Sequence, residues 1–100
     1  MNKIGGYIGL ARRANYLIIG SDNIKNYNKK LYLIILSNDC GVNVESIGRN
    51  KASIYKIPCI KCKYDLSEFL DVSNCKIIGV KNKGLSEQIL KYSDDFELVQ

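Results

Sequence analysis

The run Leu31-Tyr32-Leu33-Ile34-Ile35-Leu36 contains no charged residue and no polar break. A half-buried strand alternates apolar and polar residues, because successive side chains point to opposite faces. A continuous apolar run is what a central strand covered on both faces looks like. Six residues fall far short of the ~20 that span a bilayer. Helices must therefore lie on both sides of this strand, and the rest of the chain has to supply them.

It does so in strict alternation. Residues 4–14 place Ile4, Tyr7, Ile8, Leu10, Ala11 and Ala14 near helical spacing, with Arg12 and Arg13 near the helix end. Residues 16–19 are a short apolar strand stopped by Gly20. Ser21 then looks like an N-cap for a short helix to about residue 28. After the strand at 31–36, Ser37-Asn38-Asp39 turns the chain into a longer helix over 42–56, in which Gly48 reads as a defect. Pro58 fixes the end of that helix, because proline disfavours helical geometry in the residue before it. A strand at 59–62, a short helix at 65–70, a strand at 76–80 and a helix at 84–91 complete the series. Residues 92–100 have two options, an edge strand or a frayed end. The expected fold is α/β, a three-layer α-β-α sandwich around a central mixed sheet of about four strands. All 100 residues fit a single domain (1–100).

The chain carries 15 Lys and Arg against 10 Asp and Glu, for a net charge of +5. Asp94, Asp95 and Glu97 crowd its end, so the first 93 residues hold 15 basic against seven acidic groups. A basic body with a short acidic tail suggests a polyanion partner, nucleic acid being the commonest, although lysines also merely solubilise a surface. No apolar run is long enough for a transmembrane helix, and Lys3 followed by a helical pattern with Arg12 and Arg13 is not a signal-peptide core. The expected setting is cytoplasmic, with no membrane contact and a monomeric state.

Histidine is absent, which removes the commonest general base and every Ser-His or Cys-His nucleophile pair. Cys40, Cys59, Cys62 and Cys75 offer one C-x-x-C, but it follows Pro58 inside a strand, where positions three apart point to opposite faces. The four thiols therefore read as small buried hydrophobes, with no metal and no disulfide framework expected. Asp65 and Glu68 share a helix face as any solvated pair does. The glycines form neither G-x-G-x-x-G nor a Walker loop. No catalytic residue, cofactor or small-molecule substrate is implied, and an enzyme would need a deep polar pocket.

Gly20-Ser21-Asp22-Asn23-Ile24-Lys25-Asn26 is the most informative segment. Glycine after a strand lets another backbone approach closely, and the first turn of the following helix has free N–H groups that attract phosphate. Asp and Asn side chains there can hydrogen-bond base edges. Lys25, Lys29 and Lys30 follow closely, and Arg12 and Arg13 are placed to reach the same edge. The alternative is ordinary: Ser21 caps a helix, Asp22 favours its dipole, and the lysines form a solvent face.

Leu10-Ala11-Arg12-Arg13-Ala14-Asn15-Tyr16-Leu17-Ile18-Ile19-Gly20 resembles the opening of the bacterial YlxQ-like proteins, a branch of the L-seven-Ae/L-thirty-e ribosomal protein superfamily. The resemblance continues through Ile34-Ile35-Leu36-Ser37-Asn38-Asp39, Asn50-Lys51, Tyr55-Lys56-Ile57-Pro58, Leu66, Lys76-Ile77-Ile78-Gly79-Val80 and Gly84-Leu85 with Ile89, nearly the whole chain. It implies the same α-β-α sandwich and binding of kink-turn RNA through a G-x-N-E-x-x-K segment opening the second helix. Carried over, Gly20 matches the glycine, while Asp22, Asn23 and Asn26 stand where the superfamily has Asn, Glu and Lys; Lys25 is one position off. A second contact loop, two residues shorter here, has Lys63-Tyr64-Asp65 as its tip. Tyr64 is then either a ring for an unpaired base to stack on or a surface tyrosine without a role.

The resulting expectation is a small non-catalytic RNA-binding protein, ribosome- or transcript-associated. Its site residues would be Gly20, Ser21, Asp22, Asn23, Lys25, Asn26, Arg12, Arg13, Lys63 and Tyr64. The alternative is a protein-interaction module on the same fold, with a degenerate RNA surface.

Overall fold

The computed structural model describes residues 3–100. In chain order it contains α1 (Lys3–Arg13), β1 (Leu17–Ile19), α2 (Ser21–Asn26), β2 (Leu33–Leu36), α3 (Val42–Tyr55), β3 (Cys59–Cys62), a 3₁₀ turn (Leu66–Glu68), β4 (Ile77–Val80), α4 (Lys83–Leu90), a second 3₁₀ turn (Ser93–Asp95) and β5 (Phe96–Leu98). The strands form one mixed sheet in the order β1-β4-β2-β3-β5. β2 and β3 are parallel, β4 is antiparallel to both β1 and β2, and β5 is antiparallel to β3.

Both faces of this sheet are covered. Leu33, Ile35, Ile60, Ile78 and Val80 pack with Ile4, Ile8 and Ala11 of α1, Ile89 of α4 and Leu66 of the first 3₁₀ turn. Ile34, Leu36, Cys59 and Ile77 face the other way, against Ile24 of α2 and Ala52 of α3. All four residues of β2 and of β4 are buried, as the unbroken apolar run predicts. This is the three-layer α/β sandwich expected, with two corrections. The sheet has five strands rather than four, because residues 96–98 pair with β3 instead of fraying. The expected helix over 65–70 is only a 3₁₀ turn, opened by the Asp65 carboxylate accepting from Ser67 N–H at 2.9 Å.

The helix ends follow local chemistry. At the end of α1, Asn15 adopts φ 63°, Tyr16 N–H donates to the Ala11 carbonyl (2.8 Å) and Asn15 N–H to that of Arg12 (3.2 Å). At the end of α3, Lys56 takes φ 57°, with Ile57 N–H on Ala52 (3.0 Å) and Lys56 N–H on Ser53 (3.3 Å). Both are Schellman closures, which satisfy carbonyls that the helix leaves orphaned. Pro58 lies beyond that closure, so Lys56 stops α3 and the proline leads into β3. Gly48 is no defect: a Cβ there would lie 3.1 Å from Leu36 Cδ2 and 3.3 Å from Ile34 Cγ2 and Ile77 Cδ1. Its bare Cα lets α3 sit close against the sheet.

Strand directions decide what can meet. β1, β2 and β3 run the same way, so their C-terminal ends share one end of the sheet with the N-terminal ends of β4 and β5. The segments following Ile19, Leu36 and Cys62 therefore converge there, at the junction end.

Candidate nucleic-acid interface

Gly20 governs the junction after β1. It adopts φ 95°, ψ 150°, a region essentially closed to residues with a Cβ. Its N–H is held by the Ile77 carbonyl (3.1 Å), and its own carbonyl accepts from Ile24 N–H (3.0 Å). Gly20, not Ser21, is thus the N-cap, and no side chain caps α2. The N–H groups of Ser21, Asp22 and Asn23 have no acceptor among the described residues. Asn23 Nδ2 donates to the Ile19 carbonyl at 2.8 Å, which fixes the amide over the end of β1.

Two surface depressions meet at Asn23. One, of about 340 Å³, is lined by Gly20, Ser21, Asp22, Asn23, Val44, Asn74, Lys76 and Ile77. The other, of about 370 Å³, follows the outer edge of β1 and is lined by Arg12, Leu17, Ile18, Ile19, Asn23, Asn26 and Tyr27. The fold thereby brings together Gly20, Ser21, Asp22, Asn23, Asn26 and Arg12. Arg12 also pairs with Asp71 (Nε to Oδ1, 3.2 Å), an exposed contact worth little in water. Asn74, Lys76 and Tyr27 are additions that sequence reasoning missed. Asn74, at φ 57°, carries the one local signal, a residue type that tolerates left-handed backbone.

Other expected members lie elsewhere. Lys25 turns toward α3, in a depression with Ile47, Asn50, Lys51 and Ile54. Arg13 folds back along α1, its Nη1 3.6 Å from where a Cβ on Gly9 would be. Lys63 is exposed at the junction end after β3. It stands three strand spacings from β1, roughly 14 Å. Tyr64 is no bare loop-tip ring: its hydroxyl donates to Asp95 Oδ1 (3.0 Å), and its ring meets Phe69 edge-on at 5.9 Å. That bond to Asp95 raises its pKa above the usual 10.0. Lys29 and Lys30 do not ring the junction either. They follow α2 to the opposite end of the sheet, before β2 begins.

One cation at the junction end is neutralised. Lys76 Nζ reaches Asp39 Oδ2 at 2.5 Å, which lowers the Asp39 pKa and raises that of Lys76. Asp39 also accepts from Ser37 Oγ (2.7 Å), a second cause of its lowered pKa. Ser37, fully buried, in turn accepts from Leu66 N–H (3.1 Å) and gives its own N–H to the Lys76 carbonyl (2.9 Å). Asn38 Nδ2 donates to the Lys63 carbonyl (3.3 Å). These bonds tie the segments after β2 and β3 to the start of β4, which makes the junction end a set of mutually braced loops.

The cysteines are spread over both layers. Cys59 faces α3, whereas Cys62 and Cys75 face the α1 side. All four thiols are free, and burial pushes Cys59 up to about 12. Among the described residues no three Cys, Asp or Glu side chains gather as metal ligands. No helix among them is long and apolar enough to cross a membrane.

By layer order and strand direction the chain is an α/β/α sandwich built on a five-stranded mixed sheet. The same architecture occurs in a solved structure from Bacillus halodurans C, described as a protein with unknown function. That structure matches 95% of this chain and 100% of its own, with a TM-score of 0.85 and 27% sequence identity. No family model and no curated protein matches the sequence.

Proposed function

We propose that this protein binds structured RNA without catalysing a reaction, as the resemblance to the YlxQ-like branch implies, with the junction end as the reading surface. The observation that carries the reading is the Gly20 junction. It presents three backbone N–H groups without an acceptor among the described residues, beside an asparagine amide held in one orientation. Such N–H groups suit a phosphate oxygen. With one Nδ2 hydrogen given to Ile19, Asn23 keeps Oδ1 and a second N–H, an acceptor and a donor, for a base edge. The two depressions on either side of Asn23 give flanking nucleotides a place to lie. Gly20, Ser21, Asp22, Asn23, Asn26 and Arg12 form the core of the proposed surface, with Asn74 and Lys76 beside them. Lys63 supplies charge at its margin.

A gel-shift series tests this with a kink-turn, the same RNA lacking its sheared G·A pairs, and a plain duplex. The expected order of affinity is kink-turn first and duplex last, with Asn23→Ala flattening the order. Equal affinity for all three RNAs, or an order that survives Asn23→Ala, overturns the reading.

A further inference from the structure

Away from the junction end, the sheet closes in a row of alternating rings and cations. Val80 is registered with Leu17 on one side and Leu33 on the other, so Lys81 falls between Tyr16 and Tyr32. Lys81 N–H donates to the Tyr16 carbonyl (2.8 Å), and Tyr32 N–H to that of Val80 (2.9 Å). Lys30 Nζ stands 5.5 Å from the centre of the Tyr32 ring. Lys29 precedes it, and Lys83 opens α4 two residues after Lys81; both are exposed, as is Tyr16. The ion pairs among the described residues are Arg12–Asp71, Arg49–Glu45, Lys61–Glu45 and Lys76–Asp39, so none of these four lysines is neutralised. Asp22, Asp39, Asp65, Asp94 and Asp95 all sit in segments at the junction end, and Glu87, a turn along α4, is the acid closest in sequence to Lys83. Among the described residues four unpaired lysines thus stand at one end of the strands, and five of the chain's ten carboxylates at the other.

We propose that this lysine–tyrosine end is a second contact surface, for a single-stranded RNA segment that flanks the structured element. Lysines neutralise the backbone while tyrosine faces accept bases of any sequence, the combination that single-strand binding needs. A route joins the two surfaces. The groove beside β1 begins at Asn23 and ends at Leu17, next to Tyr16. The inference rests on the RNA-binding reading for its partner class but not for the site itself.

The test compares a kink-turn alone, a kink-turn carrying about eight unpaired nucleotides, and that single strand alone. The proteins are wild type, Lys30→Gln/Lys81→Gln/Lys83→Gln, and a charge-matched control away from both surfaces, Lys3→Gln/Lys25→Gln/Lys91→Gln. Wild type is expected to bind the tailed RNA about tenfold more tightly than the tailless one. The first triple variant loses that gain and lowers the salt slope of tailed-RNA binding by about 2. The control triple keeps most of both. A tail that adds nothing, or two triples that behave alike, overturns the inference while leaving the kink-turn reading intact. Lysine-dependent binding of the single strand with no preference for the kink-turn does the reverse. Binding to none of the RNAs overturns both. Among the described residues none of the substituted ammonium groups donates a hydrogen bond or forms an ion pair, so matching circular dichroism spectra are expected throughout.

Discussion

Ser37→Ala isolates the bond that braces the junction end. The side chain is fully buried, and its hydroxyl accepts from Leu66 N–H at 3.1 Å while donating to Asp39 Oδ1 at 2.7 Å. Alanine fits the space, so the change removes the hydroxyl alone. Leu66 is itself fully buried, so its N–H is left without an acceptor, a loss of about 1–3 kcal/mol. Asp39 is partly exposed and recovers its bond from water, adding only a few tenths. The expected total is about 2 kcal/mol, or a fall in Tm of roughly 10 °C for a chain of this size. Ser86→Ala is the control. Its hydroxyl is as well buried but only donates, to the Asn82 carbonyl (2.9 Å), which still accepts from Ser86 N–H (3.1 Å). No donor is orphaned there, so the loss should stay below about 1 kcal/mol. Urea unfolding followed by far-ultraviolet circular dichroism gives both numbers from the midpoint at constant slope. Equal losses in the two variants would show that Leu66 N–H is rescued, and the bracing argument would fall.

Other consequences are checked separately. Lys51 Nζ donates to the carbonyls of Tyr27 (2.6 Å) and Lys25 (3.3 Å), so Lys51→Met should cost about 1–2 kcal/mol. Hydrogen exchange should quicken in α2 before the sheet; unchanged α2 protection contradicts this. The Asp39–Lys76 pair sets a pH window. Asp39 falls below its ordinary 3.8, so its contribution is complete above that pH and is lost as pH falls through the lowered value. Lys76 rises above 10.5, so its contribution is complete below that pH and is lost as pH rises through the raised value. Carboxyl-carbon NMR should show the Asp39 midpoint moving back toward 3.8 in Lys76→Met, and no movement would mean that the pair does not form in solution. For the thiols, native labelling at pH 8 should modify Cys40, half-buried, well before Cys59, Cys62 and Cys75. Early modification of Cys59 would contradict its burial.

Much of the architecture is visible in the chain itself. A strand without polar positions needs cover on both faces, and β2 has it. The two-residue period of a strand is enough to put Cys59 and Cys62 on opposite faces. Gly20 marks the turn into α2 for a backbone reason: φ 95° is open to glycine and strained for other residues. Other features were not readable because the groups that fix them are distant in sequence. Residues 96–98 become a strand only by pairing with residues 60–62. α2 stops at Asn26 with Lys51 and Tyr55 of α3 bonded to the Tyr27 carbonyl just beyond it.

Charge placement shows the division best. By itself the sequence determined the alternation of elements, the doubly covered sheet and the glycine junction, since these depend on local periodicity and on one residue's backbone freedom. Only the tertiary structure decided which charges keep company. A helix rising 1.5 Å per residue carries Lys29 and Lys30 away from the junction that precedes them by a few positions. Parallel strands, meanwhile, return Asp39, Lys63 and Asp65 to that same end from positions far along the chain. Neighbours in sequence become opposite poles because strand direction, not sequence separation, sets position in the sheet.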